Sequence, residues 1–161
     1  CTIDGVGCKQ SFADSPLEAD PNAITSAIQK AMTEANCKAE DIDVIVPLGS
    51  GIKQVDDAER KALTTIFGES LSTIPTITTI PYTGNCMAGN GAIAISVSAK
   101  AIKEQTVPAS SSCVIALSPT KVERAEGPVD DWPRRCITCW RGGGVIPGPW
   151  IWPYVQQRYP G

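Results

Sequence analysis

The sequence contains no histidine, and this absence restricts its chemistry more than any other feature of its composition. Imidazole is the usual proton carrier of enzymes near neutral pH and a frequent zinc ligand, so catalysis or metal binding through histidine is excluded. No stretch approaches the roughly 20 apolar residues that cross a bilayer, so no membrane-spanning helix is expected. No block of basic residues points to nucleic acid.

The rest of the composition is typical of one folded domain. Hydrophobic residues make up 42% and charged residues 19% of the 161 residues, and the net charge is -3. The odd number of cysteines, seven at mostly long spacings, indicates reduced thiols and a cytoplasmic location rather than a disulfide framework. The pair Cys136 and Cys139 lacks the second pair or the histidines that a zinc site needs. We therefore expect no metal and no cofactor.

The first 126 residues predict alternating strands and helices, the pattern of an α/β domain. A cap residue followed by proline predicts the start of a helix at Asp20, and apolar spacing carries this helix to about Asn36. A second helix is predicted to be capped by Asp56 or Asp57 and to end at Gly68. The predicted strands are residues 1–8, 44–46, 74–80 and 113–117, and a small-residue helix over 92–102 is expected at the centre of the protein.

The end of the chain differs from the rest. All four tryptophans and five of the prolines lie after residue 131, where no helical or alternating period is visible. This change predicts a domain at 1–126 and an atypical tail at 127–161. Two explanations of the tail stay open: a reading frame that shifted near residue 127 or 145, or an aromatic segment that binds a partner.

The segment DVIVPLGSGIKQVDDAE, residues 43–59, places a glycine-rich turn directly after a strand. It resembles the β-ketoacyl synthase segment in which a strand delivers a histidine followed by Gly-Thr-Gly-Thr, with an Asp and a Glu shortly after. The family's histidine falls on Leu48, and its last threonine falls on Ile52. The positions that match the family are Gly49, Ser50, Gly51, Asp56 and Glu59.

A second segment, TGNCMAGNGA at residues 83–92, resembles the family's Gly-His element and the small-residue helix that follows it. The histidine position is Asn85, and the family's lysine five residues earlier falls on Ile80. Because both motifs occur in the family's order and distance, the resemblance is specific, and it covers roughly residues 1–126. It implies the C-terminal half of the thiolase-like fold: an α/β architecture with a mixed five-stranded sheet and helices on its faces.

The chemistry of this family makes the replacements important. Condensation needs a cysteine thiolate that holds the acyl group and imidazoles that donate hydrogen bonds to the malonyl carbonyl. The family supplies that cysteine from its N-terminal half, and Cys86 is predicted to be a packing thiol instead. Leu48 has no donor, and Asn85 cannot take up a proton near neutral pH. We therefore predict no catalytic residue in this chain and no condensation by the chain alone.

The candidates for the lining of a substrate tunnel are Gly49, Ser50, Gly51, Gly84 and Asn85. Gly49 and Gly51 directly after a strand, and Gly89 and Gly91 at the entry of a helix, allow positive φ or a close backbone approach, which serves either a cradle beside a substrate or tight strand-to-helix packing. Both interpretations stay open. Asp56 and Glu59 are predicted to be a helix cap and a first-turn acid rather than catalytic carboxylates.

Three functions fit these observations. The first is a β-ketoacyl synthase-like domain of fatty acid or polyketide chain elongation that has lost its catalytic positions. The second is a non-catalytic partner of the chain-length-factor kind, which binds an active ketosynthase and an acyl-carrier protein. The third is a truncated or degenerate fragment without activity. Because a lone half exposes a large apolar face, we expect association with an N-terminal half or a partner subunit, and dimers.

Overall fold

A computed structural model describes residues 1–11, 18–107, 135–138, 141–142, 150–151 and 154–157. Short 3₁₀ turns connect some of the helices and strands, at Ala39–Asp41, Gly68–Ser72 and Met87–Gly89. In chain order, the helices and strands of the described part are β1 (Thr2–Val6), β2 (Lys9–Gln10), α1 (Pro21–Glu34), β3 (Val44–Val46), α2 (Lys53–Phe67), α3 (Ile80–Thr83), α4 (Asn90–Glu104), β4 (Arg135–Thr138), β5 (Arg141–Gly142), β6 (Trp150–Ile151) and β7 (Tyr154–Gln157).

The main sheet is mixed and has the strand order β1-β7-β4-β3. Strand β3 pairs with β4 in parallel, whereas β7 is antiparallel to both of its neighbours. A second, small sheet has the order β2-β6-β5. The expected five-stranded sheet is therefore not confirmed, although the mixed character of the sheet agrees with the prediction.

A single bridge beside β3 occupies the place where a fifth strand was expected. The Ile45 amide donates to the Pro75 carbonyl at 3.0 Å, and the Ile77 amide donates to the Ile45 carbonyl at 2.9 Å. The bridge at Thr76 is parallel and isolated. The predicted strand over 74–80 is thus reduced to one contact, because Pro75 has no amide to donate and Ile80 already begins α3.

Helix α1 forms where the sequence predicts it. The Asp20 side chain accepts a hydrogen bond from the Asn22 amide at 2.9 Å, which satisfies one of the amides that a helix start leaves unpaired. Pro21 stands in the first turn, where its fixed φ suits the helix. Asn36 adopts a left-handed φ of 48°, and the helix has ended by this residue.

Two glycines of the N-terminal segment bring β1 and its continuation close to α1. A Cβ at Gly7 would fall on the carbonyl oxygen of Ala27, and one at Gly5 would fall on that of Ala31. The Val6 amide also donates to a carboxylate oxygen of Glu34 at 2.9 Å. Only residues without a side chain fit this approach of strand to helix.

The core has two layers, one on each face of the sheet. Because successive side chains of a strand point to opposite faces, Ile45 packs with α1 and α2, whereas Val44 and Val46 pack with α4. All three side chains are buried, as the β-branched run 44–46 predicts for a strand covered on both faces. The largest fully buried side chains of the first layer are Ile28, Ile45, Leu63 and Ile137.

The cap residue of helix α2 differs from the predicted one. The helix begins at Lys53 with Ile52 as its cap residue, so neither Asp56 nor Asp57 caps it. The predicted end is confirmed, because Gly68 closes the helix with a φ of 56°.

Helix α4 is buried on one side only. Its buried residues, Gly91, Ala94, Ser98, Ala101 and Ile102 among them, form the stripe that faces the sheet. The opposite side is exposed at Ala92 and Ser96 and half-exposed at Ile93 and Ala99. The described residues do not cover that second side, and a place for α4 at the centre of the protein stays a prediction.

Four short strands lie in the segment that was predicted to be an atypical tail. Strands β4 and β7 occupy the middle of the main sheet, between β1 and β3, and the Ile137 side chain is fully buried. The boundary at residue 126 stays a prediction, and so do both explanations of the tail. The strand predicted at 113–117 lies outside the described residues.

Candidate functional site

Two loops leave the same edge of the sheet. Strand β3 runs into Pro47 and Leu48, and the parallel bridge at Thr76 runs into α3 and the turn after it. Because the carboxyl ends of parallel segments meet at one edge, the chain reaches positions 48–51 directly from this edge and positions 84–85 after α3. We call residues 48–51 the first loop and residues 84–89 the second loop.

Leu48, which was predicted to occupy the position of the family's first histidine, has a hydrocarbon side chain without a proton donor or acceptor. Its side chain is half-buried. Its backbone amide donates to a carboxylate oxygen of Glu59 at 2.8 Å, so even the backbone donor is already satisfied. The residue therefore shapes the edge of the sheet and cannot move a proton.

The glycines of the first loop adopt the conformation that the sequence predicts. Gly49 has a φ of 58° and Gly51 a φ of 77°, and such positive values favour residues without a Cβ. The space beside Gly51 is open, since an added Cβ there would meet no atom within 4 Å. Between them, the Ser50 hydroxyl donates to Asp56 at 2.7 Å and accepts from the Ile52 amide at 3.1 Å.

Two buried carboxylates hold the first loop from the start of α2. Asp56 accepts the amides of Ser50 at 2.9 Å and of Gly51 at 3.0 Å. Glu59 accepts those of Leu48 at 2.8 Å and of Gly49 at 3.3 Å. The prediction of a helix cap and a first-turn acid is thus corrected: Glu59 lies in the second turn, and both side chains bind the loop that precedes the helix.

Burial raises the pKa of Glu59 to about 7, above its ordinary value of 4.5. Desolvation is the largest cause, and the neighbouring charge of Asp56 raises the pKa further. The hydrogen bonds from Leu48 and Gly49 oppose these effects, because they favour the charged carboxylate. No salt bridge reaches Glu59 from the described part of the chain, so backbone amides are the groups that stabilise its charge there.

Helix α3 begins at Ile80, and Gly84 caps its end at the start of the second loop. Ile80, which was predicted to occupy the position of the family's lysine, is the first residue of the helix, is half-buried and carries no charge. Gly84 ends the helix with a φ of 71°, and an added Cβ would meet nothing within 4 Å. The amide of Gly84 donates to the Ile80 carbonyl at 2.8 Å. A role of Gly84 in a substrate tunnel stays a prediction.

Asn85, which was predicted to occupy the position of the family's second histidine, is exposed, and its side-chain oxygen accepts two hydrogen bonds. This oxygen accepts the Met87 amide at 2.9 Å and the side-chain amide of Asn90 at 2.8 Å. Asn90, which is buried, in turn accepts the Cys86 amide at 2.8 Å through its own side-chain oxygen. Sequence reasoning missed Asn90, although two asparagines flanking a turn are a recognisable signal for side-chain bonds to the backbone.

Cys86 is exposed and is therefore not the packing thiol that was predicted. Its sulfur donates weakly to the Thr83 carbonyl at 3.7 Å. In the described residues, no hydrogen bond joins the first loop to the second. That the five tunnel candidates line one common pocket stays a prediction.

Neither a metal-binding cluster nor a membrane-spanning helix is present in the part of the chain that the structure describes. Among them, no group of three or more cysteine, aspartate, glutamate or histidine side chains is placed to hold a metal ion. None of the helices in the described segments is both long enough and apolar enough to span a bilayer.

Comparison with known proteins agrees with this geometry. The model of the β-ketoacyl synthase C-terminal domain family matches residues 1–113. The chain belongs to this family, which confirms the resemblance of its two motifs.

Polyketide proteins of Streptomyces are among the curated relatives of this chain. The actinorhodin polyketide β-ketoacyl synthase 2 of Streptomyces coelicolor is 27% identical over 101 residues, 63% of this chain and 24% of the relative. The tetracenomycin polyketide synthase ketoacyl synthase beta subunit of Streptomyces glaucescens is 29% identical over 102 residues, 63% of this chain and 24% of the relative. The matched part of this chain thus spans about a quarter of the length of these relatives.

Solved ketosynthases share the fold. The ishigamide ketosynthase/chain length factor superposes with a TM-score of 0.73 at 19% identity, over 98% of this chain and 38% of that chain. The ketosynthase ApeO in complex with its chain length factor ApeC, from Xenorhabdus doucetiae, gives a TM-score of 0.74 at 20% identity, over 97% of this chain and 39% of that chain. The thiolase-like fold predicted from the motifs is confirmed.

Proposed function

We propose that this chain is a ketosynthase-like domain of polyketide chain building that takes part without catalysing the condensation itself. The observation that carries the proposal is the identity of two residues: Leu48 and Asn85 stand where the family has histidines. Fatty acid synthesis was an equal expectation from the sequence, but the relatives named above are polyketide proteins, and this favours the polyketide role.

The chemistry of condensation supports the loss of catalysis. Decarboxylation of a malonyl thioester develops negative charge on its carbonyl oxygen, and positioned donors must stabilise that charge. Leucine offers no donor, and the Asn85 amide, although it can donate a hydrogen bond, cannot take up or release a proton near neutral pH. With no histidine in the sequence, this chain has no imidazole to bring to the reaction from any other position.

The second side of α4 supports the role of a partner subunit. Between Ala92 and Ala99 its exposed and half-exposed residues are small or apolar, as in a surface that packs against another protein, whereas Lys100, Lys103 and Glu104 make its C-terminal end charged. The relatives are about four times longer than the matched region, so a further domain of the family is the natural cover for this side. We propose that an N-terminal half or a chain-length-factor-type pairing supplies it, and that the assembly forms a dimer in the cytoplasm.

An acyl-carrier protein is the proposed second partner. One of the similar solved structures is a type II acyl-carrier protein in complex with its ketosynthase, and two others include a chain length factor. These assemblies belong to those proteins, and they define the partners that should be tried first with this chain. A degenerate fragment remains the alternative, which the experiment below separates.

The test combines association with activity. The chain is mixed with a type II ketosynthase and a malonyl-loaded acyl-carrier protein, and light scattering after size exclusion measures the complex while released carbon dioxide measures decarboxylation. We expect a clean complex with the ketosynthase and no carbon dioxide release by the chain alone. Turnover by the chain alone would contradict the loss of catalysis, and a stable monomer that binds neither protein would favour a degenerate fragment.

A further inference from the structure

The second loop holds an unusual backbone. Met87 adopts a left-handed φ of 52°, a conformation that residues with a Cβ disfavour, and its side chain is 71% exposed. An exposed side chain gains little from packing, so some other interaction must keep this residue left-handed. The hydrogen bonds of the two neighbouring asparagines are the interactions that reach it.

One hydrogen bond joins the side chains of these asparagines, and each side chain also accepts a backbone amide of the second loop. The side-chain amide of Asn90 donates to the Asn85 oxygen at 2.8 Å, and that same oxygen accepts the Met87 amide at 2.9 Å. The Asn90 oxygen accepts the Cys86 amide at 2.8 Å. Asn90 is only 6% exposed and begins α4, so it ties the turn to the end of a packed helix.

We propose that Asn85 and Asn90 form an amide lock that fixes the second loop, with Met87 left-handed, and sets where α4 begins. The residue at the family's histidine position thus acts through its neighbours as a positioning residue. Its carbonyl oxygen performs this role, and its nitrogen is not needed. This role goes beyond the proposed function and does not depend on any partner.

Two substitutions at residue 85 distinguish the role of its side-chain oxygen from that of its side-chain nitrogen. Asn85→Asp keeps the oxygen that accepts both hydrogen bonds and removes the amide nitrogen, whereas Asn85→Ala removes both. Amide hydrogen exchange of the full chain, followed residue by residue, reports on each bond. We expect Asn85→Ala to speed exchange at the Met87 amide about fivefold, the loss of one ordinary hydrogen bond, and Asn85→Asp to change it less than about twofold.

Two further variants test the connections within the lock. Asn90→Ala removes the oxygen that accepts the Cys86 amide, and exchange at that amide should become about fivefold faster. Exchange at the Met87 amide should rise by less, because Asn85 keeps the oxygen that accepts this amide and loses only the donor that orients it. Met87→Gly should rescue Asn85→Ala, since glycine adopts a left-handed φ without cost. With glycine at 87, the first turn of α4 should exchange as slowly as in the parent chain.

The amide of Ile28 in α1 is the internal control, because it reports on global opening and should not respond to any of these changes. The lock is overturned if Asn85→Asp behaves like Asn85→Ala, or if Asn85→Ala leaves the Met87 amide unchanged. It is also overturned if Met87→Gly gives no rescue. A chain that unfolds with alanine at 85 and folds with aspartate there supports the lock.

Discussion

At the scale of single residues, Glu59 is the carboxylate of the site whose burial raises its pKa. It is 4% exposed, and backbone amides rather than a cation are its recorded partners among the described residues. A buried carboxylate of this kind costs folding free energy whenever it is charged. The family pattern predicts an acid at this position, but sequence alone could not tell that its role is to hold the loop before the helix.

Glu59 should therefore make stability depend on pH. Its pKa is 4.5 ordinarily and about 7 in the folded chain, so between these values the folded state binds a proton that the unfolded state has released. The free energy of unfolding should fall as pH rises through this window, by about 3 kcal/mol in all. Below the window, both states are protonated, and this contribution to the slope disappears.

Glu59→Gln tests this expectation by urea denaturation at a series of pH values. The variant should lose most of the slope between pH 4.5 and about 7. Glu69→Gln, at an exposed position in the 3₁₀ turn after α2, is the matched control and should keep it. An unchanged slope in Glu59→Gln would show that another group produces the pH dependence.

At the scale of secondary structure, local signals predict some elements and miss others for physical reasons. Helix α1 has a cap, a proline in its first turn and an apolar period, and all three agree with its observed start. Helix α2 begins three residues before Asp56, because that carboxylate binds the first loop instead of the helix amides. Strands of two residues, such as β5 and β6, are too short to show any period.

The contact between β1 and α1 gives a prediction at this scale. Gly7→Ala would drive a methyl group into the backbone of α1 at Ala27, which no rotamer change can relieve. We expect a loss of at least about 2 kcal/mol in the free energy of unfolding, measured by urea denaturation.

Gly89→Ala is the matched control for this substitution. Gly89 has an ordinary φ of -76°, and an added Cβ would meet only the Cβ of Cys86 at 3.4 Å. Its effect should stay within about 1 kcal/mol. Equal losses in the two variants would mean that the close approach of β1 to α1 is not the cause.

At the scale of the whole molecule, the sheet depends on residues far along the chain. The order β1-β7-β4-β3 places two strands from beyond residue 134 between strands from the first 46 residues. Composition predicted an atypical tail instead, because the tryptophans and prolines hide any alternation of polar and apolar residues. Long-range pairing of this kind cannot be derived from local pattern.

Truncation tests this dependence and the predicted boundary together. A chain of residues 1–126 lacks β4 and β7 and therefore leaves β1 and β3 without their sheet neighbours. We expect it to lose the cooperative thermal unfolding of the full chain, followed by circular dichroism. If residues 1–126 unfold as cooperatively as all 161, the tail is dispensable and the boundary at residue 126 is a true domain boundary.

The proposed function requires residues 48 and 85 to face a common site at the edge of the sheet. Nickel binding to the variant Leu48→His/Asn85→His measures this relation directly, because two nearby imidazoles chelate a single ion. The account predicts that the double variant binds nickel at least roughly tenfold more tightly than either single-histidine variant. Binding no tighter than that of the single variants would place the two positions apart and contradict the assignment of the site.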